Sequence, residues 1–103
     1  MTQDLVVYLV FIVYALGGLA GVAAGRGMFT RAVRLLSMAD TLRRAISLAF
    51  PPTVQALFAH IGTAAREQLG EQVYLAAWAE SATASLPQVI AYALGQDKVG
   101  SEE

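Results

Sequence analysis

The 103-residue sequence predicts an all-α fold of membrane type, an antiparallel hairpin of two long helices. Three observations carry that prediction. Leu5 to Gly25 is a 21-residue run without a charge. A proline pair, Pro51-Pro52, divides the chain near its middle. Apolar residues recur at helical spacing on both sides of that pair.

Composition sets the frame. Hydrophobic residues make up 56% and charged residues 15% of the chain, with a mean hydropathy of +0.53. Soluble domains carry about 45–50% apolar and about 25% charged residues. A chain this short has too little interior to hide the excess, so the surplus must face lipid or another subunit. Cysteine is absent, which excludes disulfide scaffolds, thiolate metal sites and cysteine nucleophiles.

The first element is the uncharged run. About 20 apolar residues cross a ~30 Å hydrocarbon core as a helix. A secretory signal would place basic residues ahead of the run, whereas here only Asp4 precedes it, so a retained segment is expected. Gly17, Gly21 and Gly25 repeat every four residues and fall on one helical face. Small residues in that register let helix backbones approach closely in lipid, so this stripe is the expected packing face.

From Met28 to Phe50 the pattern reads as a continuing helix, with Phe29, Val33, Leu36, Leu42 and Ile46 set among arginines. Asp40 and Arg44 form a favourable i,i+4 pair. Pro51-Pro52 then ends the first arm, and Thr53 is the expected N-cap of the second. The second arm runs through Leu57, Phe58, Ile61, Leu69, Val73 and Trp78 to Leu94, weakened at Gly62 and Gly70 and kinked at Pro87. Gly95 stops it. The domain is thus a hairpin over residues 1–95, with arms of about 3–50 and 53–95, followed by a polar acidic tail at 96–103. Folded back about the prolines, the arms place Arg31 beside Glu71 and Arg34 beside Glu67. The second membrane segment is either 75–95, which carries Glu80, or 45–65, which is uncharged but holds the prolines and His60. The apolar tip at Phe50, Val54, Leu57 and Phe58 calls for cover from neighbouring copies.

Catalytic chemistry has little to build on. His60 has no acidic residue or cysteine within several positions, Ser47, Ser81 and Ser85 are isolated, and no phosphate-cradling loop occurs. No enzyme, metal site or cofactor is expected. The basic block is the remaining candidate site. Arg26, Arg31, Arg34, Arg43 and Arg44 face only Asp40, while the flanking segments are acidic or neutral. Arginine matches phosphate geometry, so lipid headgroups or a nucleic-acid backbone are its expected partners; without interleaved aromatics, sequence-specific base recognition is not. Basic residues stay cytoplasmic, which puts the basic tip inside the cell membrane and both termini outside.

Two apolar helices rich in Ala, Gly and Val, joined by a basic connection, resemble the pilins of conjugation-type (type IV) secretion systems and the related archaeal DNA-import pilins. The resemblance is one of architecture over residues 4–95. It implies a self-assembling subunit of an extracellular filament, with phospholipid bound between subunits and a lumen through which single-stranded DNA passes. The carried-over positions are Gly17, Gly21 and Gly25 for packing, and Arg26, Arg31, Arg34, Arg43 and Arg44 for the lumen or headgroups. The chain departs from that family in its longer connection and in Glu80 and Pro87. A holin-like pore former and an accessory subunit of a larger membrane complex are the other classes that the same features fit.

Overall fold

The computed structural model describes residues 2–95, with side chains placed from Asp4 onward; the tail at 96–103 lies outside the described residues. The described chain is all-helical: α1 (Thr2–Gly25), α2 (Phe29–Ala45), α3 (Pro52–Leu69), α4 (Glu71–Ser81) and α5 (Leu86–Ala93). Both long arms expected from the sequence are broken, and the hairpin turns in a different place.

The first arm stops at Gly25 and doubles back three residues later. Gly27 takes a left-handed conformation at φ +77°, which a residue with a Cβ adopts only at a cost. Around it, Met28 N–H donates to the Ala23 carbonyl at 2.8 Å and Gly27 N–H to the Ala24 carbonyl at 3.0 Å. This paired closure satisfies carbonyls that the helix end would orphan, and it turns the chain sharply. α2 therefore packs back along α1 as an αα-hairpin. Val13, Leu16, Ala20 and Ala23 of α1 meet a core that includes Ala32, Leu35, Met38 and Ala39 of α2. The same closure follows α2, where Ser47, two residues past Ala45, sits at φ +56° while Leu48 N–H donates to the Arg43 carbonyl.

Pro51 and Pro52 do break the chain, but as the start of α3. Pro51 is the N-cap residue, with Pro52 in the first turn where a missing N–H costs nothing. Thr53 is not the cap. The second arm divides at Gly70, whose φ of +88° and ψ of 158° only glycine adopts freely, and again at residues 82–85. Pro87 begins α5 instead of kinking a longer helix. Ser85 accepts from Gln88 N–H while Ser85 N–H donates to the Gln88 side chain, a complete capping box.

α2 is the centre of the molecule, packed by α1, α3 and α4. From Leu35 to Ala39 every residue is buried. Its polar side chains there serve the carbonyl ends of other helices. Ser37 Oγ, fully buried, donates to the Trp78 carbonyl at 2.7 Å, and the Thr41 hydroxyl reaches the Ala82 carbonyl at 3.2 Å. These bonds seat the end of α4 against α2.

Two glycines should separate in their effects on thermal unfolding followed by circular dichroism. Gly70→Ala forces a Cβ into a left-handed position and should cost more than about 1 kcal/mol. Gly62 lies within α3, where an added Cβ meets only the Tyr74 hydroxyl at 3.8 Å and Leu36 at 3.9 Å. Gly62→Ala should therefore be neutral or stabilise by up to about 1 kcal/mol. Equal losses at both sites would contradict this backbone path.

Candidate functional site

The two features singled out by the sequence, the glycine stripe and the arginine block, are distributed over the fold in ways the linear pattern does not reveal. On α1 the glycines divide between faces. A Cβ on Gly17 would fall inside the Phe58 ring, and one on Gly21 would lie 3.6 Å from Ile61, so both positions meet α3 of the same chain. Gly25 has nothing within 4 Å, and neither has Gly18. Phe58 in turn packs on Phe50 with ring centroids 4.8 Å apart, and Phe50 on Tyr14 at 5.6 Å. Half of the apolar tip expected to await neighbouring copies is thus covered by the chain's own α1; Leu57 stays exposed.

The opposite face of α1 is open. Tyr8, Phe11, Ala15, Gly18, Val22 and Gly25 are all exposed, and their spacing alternates between three and four residues. On a helix this spacing draws one continuous stripe, flanked here by exposed Leu5 and Leu19. Asp4–Gly25 is long and apolar enough to cross a membrane, a test that spans, signal segments and buried core helices all pass. Only 22% of its most apolar window is buried. A core helix would be mostly covered, so this one is covered along one side alone.

The arginines part company as well. Arg31 reaches α5, donating to the Tyr92 and Ala93 carbonyls at 3.2 and 3.3 Å with its guanidinium 4.7 Å above the Tyr92 ring. A cation at these carbonyls complements the negative end of α5. Arg34 bonds Glu80 at 3.3 Å, with the arginine side chain 12% exposed and the glutamate 62%. Arg43 and Arg44 both bind Asp40, at 3.0 and 2.9 Å, which includes the i,i+4 pair expected from spacing. Arg26 is exposed on the turn after α1. The expected pairs Arg31–Glu71 and Arg34–Glu67 do not form. Glu71 bonds Arg66 at 3.0 Å, because the turn at Gly27 replaces the register that a turn at Pro51-Pro52 would have set. Glu80, the one charge in the expected second span, thereby has its partner.

The exposed stripe and the cap role of Arg31 are what sequence reading missed. The stripe was visible as spacing, but its direction depends on which side α2 and α3 take. His60 lies exposed on α3, and among the described residues no three His, Asp or Glu side chains gather as a metal site would require. Comparison with protein-family models, with curated proteins and with solved structures finds no match.

The division of the glycines has a measurable consequence. Gly17→Ala should destabilise by about 1–3 kcal/mol through overpacking against Phe58. Gly18→Ala, on the open face, should be neutral or gain up to about 1 kcal/mol in helix propensity. Unfolding of the two variants in parallel checks it; equal losses would place both glycines in packed surroundings.

Proposed function

We propose that this chain is a small structural membrane protein, held at the bilayer surface by the outer face of α1 and packing there against copies of itself. One observation carries the reading: a helix uncharged from Leu5 to Gly25, apolar all round over that run and covered on one side only. Such a helix is stable when both sides are kept from water, and α2 and α3 supply one side. Lipid is the natural cover for the other. The small side chains Ala15, Gly18 and Gly25 on that stripe favour close approach by a second α1.

The packed geometry favours a helix lying along the interface over one standing across the bilayer. α2 accompanies α1 and carries charge toward both ends, Arg31 and Arg34 at one and Asp40, Arg43 and Arg44 at the other. Nine residues separate Arg34 from Arg43, about 14 Å along a helix, while the hydrocarbon core is about 30 Å thick. An upright hairpin would therefore sink one charged group into hydrocarbon, at a cost of several kcal/mol. Lying flat, all of them stay at headgroup level or against protein. Pilin filaments and two-span pores both need two apolar arms. Among the described residues one helix is long and apolar enough to cross, so the single-faced surface arrangement is put ahead of them.

The chain contains no cysteine, which makes single-cysteine labelling in sealed vesicles the direct test. Cysteines at Asp4 and Gly25 should both react with a membrane-impermeant maleimide from the same side. Labelling from opposite sides would show a spanning helix and overturn the interfacial arrangement. Val22 is 54% exposed on the outward stripe of α1. Val22→Asp should leave helicity unchanged yet lower flotation with neutral vesicles at least tenfold. Undiminished flotation would remove α1 as the membrane contact.

A further inference from the structure

A second feature lies away from the outer face of α1. Between α2, α3 and α4 the fold leaves a cavity of about 580 Å³, and none of its lining residues belongs to α1. Its walls are Leu36, Phe50, Phe58, Tyr74 and Trp78. Phe50 and Phe58 pair at 4.8 Å on one side, Tyr74 and Trp78 at 6.0 Å on the other. Each pair carries an arginine. The Arg43 guanidinium lies 5.7 Å from the Phe50 ring centre and that of Arg66 4.6 Å from the Tyr74 ring centre. Gly62 also lines the cavity, and its missing side chain contributes to the space.

We propose that this cavity binds a single-chain amphiphile with an anionic head, the chain lying among the aromatic rings and the head at Arg66 with Arg43 beside it. The space is a cleft open to solvent on one side, and aromatic rings left facing water across it are costly. It falls in the range of small-molecule sites, about 300–1,000 Å³, where apolar walls supply affinity and a few polar groups fix orientation. The sign of the head follows from the charges lining the cavity. Two guanidiniums face one carboxylate, Asp40, and that carboxylate is already held by Arg43 and Arg44. Arg66 bonds Glu71 through Nε at 3.0 Å, but both side chains are half or more exposed. A pair so screened is weak and yields readily to an anion anchored by a buried chain. Guanidinium binds carboxylate and phosphate alike, so a fatty acid and a lysophospholipid share the required chemistry. The inference rests on the membrane-surface reading only for the source of the ligand.

Trp78 is the only tryptophan and lines the cavity, so it reports occupancy directly. The test titrates the full chain, held in a non-ionic amphipol without any bilayer, with 9,10-dibromostearate and with its uncharged methyl ester. Failure here is thus separate from failure of membrane binding. The acid should quench Trp78 saturably, at a half-saturation at least tenfold below that of the ester. Arg66→Gln should erase the tenfold preference. Gly62→Leu, or Ala59→Leu at the rim if the former does not fold, should abolish saturable quenching with helicity unchanged. Displacement by palmitate or by lysophosphatidylglycerol supports the site, and the one effective at lower concentration identifies the head as carboxylate or phosphate. Equal quenching by acid and ester, saturation that survives a folded cavity-filling variant, or displacement by neither competitor would overturn it.

Discussion

Everything in this fold depends on burying α2, a helix with an unpromising sequence. It carries Arg31, Arg34, Asp40, Arg43 and Arg44, yet its middle turn and a half, Leu35 to Ala39, is sealed from solvent. Burial works because the charges sit toward the two ends and the polar groups between them are bonded. Ser37, fully buried, spends its hydroxyl proton on the Trp78 carbonyl. A buried hydroxyl without a partner would cost on the order of 1–3 kcal/mol, and the same bond gives the Trp78 carbonyl, which also accepts from Ala82 N–H at 3.1 Å, a second donor. Arg31 does the corresponding work for α5 at Tyr92 and Ala93. α2 is thus both the core and the cap of the two short helices that close over it.

That arrangement also explains why α1 is left with an open side. A centre of one helix needs cover on every side, and α3 and α4 supply it over their share of the surface, with the end of α5 held at Arg31. α1 supplies the rest with Val13, Leu16, Ala20 and Ala23. Those four residues form one narrow seam. Tyr14, Gly17 and Gly21 add a second contact, with Phe50 and α3, while the stripe from Tyr8 to Gly25 meets nothing of the chain's own core and forms an exposed apolar face. Surplus hydrophobicity in the composition and exposed surface in the fold are the same quantity, counted first over the sequence and then on one helix face.

The sequence showed the elements more clearly than their connections. The uncharged run of α1 from Leu5, the stop at Pro51-Pro52 and the stop at Gly95 could all be read locally, because each depends on its own residues. The turn at Gly25-Arg26-Gly27 was also written locally, in two glycines flanking an arginine, but the continuing apolar period through Phe29 and Val33 hid it. Gly70 acts as a break and not only as a weak point, because α4 must swing back over α2. The tertiary pairs were out of reach for a different reason. Arg34 with Glu80, and Gly17 with Phe58, depend on register, and the register followed from the misplaced turn. The glycine stripe illustrates the limit: its spacing was legible, but three glycines on one face of an isolated helix are parted once α3 crosses only Gly17 and Gly21.

α2 folds back on α1 at Gly27, and a single distance decides it. Tyr8 and Arg44 are both exposed, and the chain offers no native cysteine to interfere with spin labels placed there. With helices packed side by side at about 8–10 Å between axes, the two backbones should lie within about 15 Å of each other. Pulsed electron-electron resonance on the doubly labelled protein should then give a short, narrow distance distribution. In a continuous first arm, 36 residues at a rise of 1.5 Å would hold the same positions about 54 Å apart. A distribution centred near that length would contradict the account.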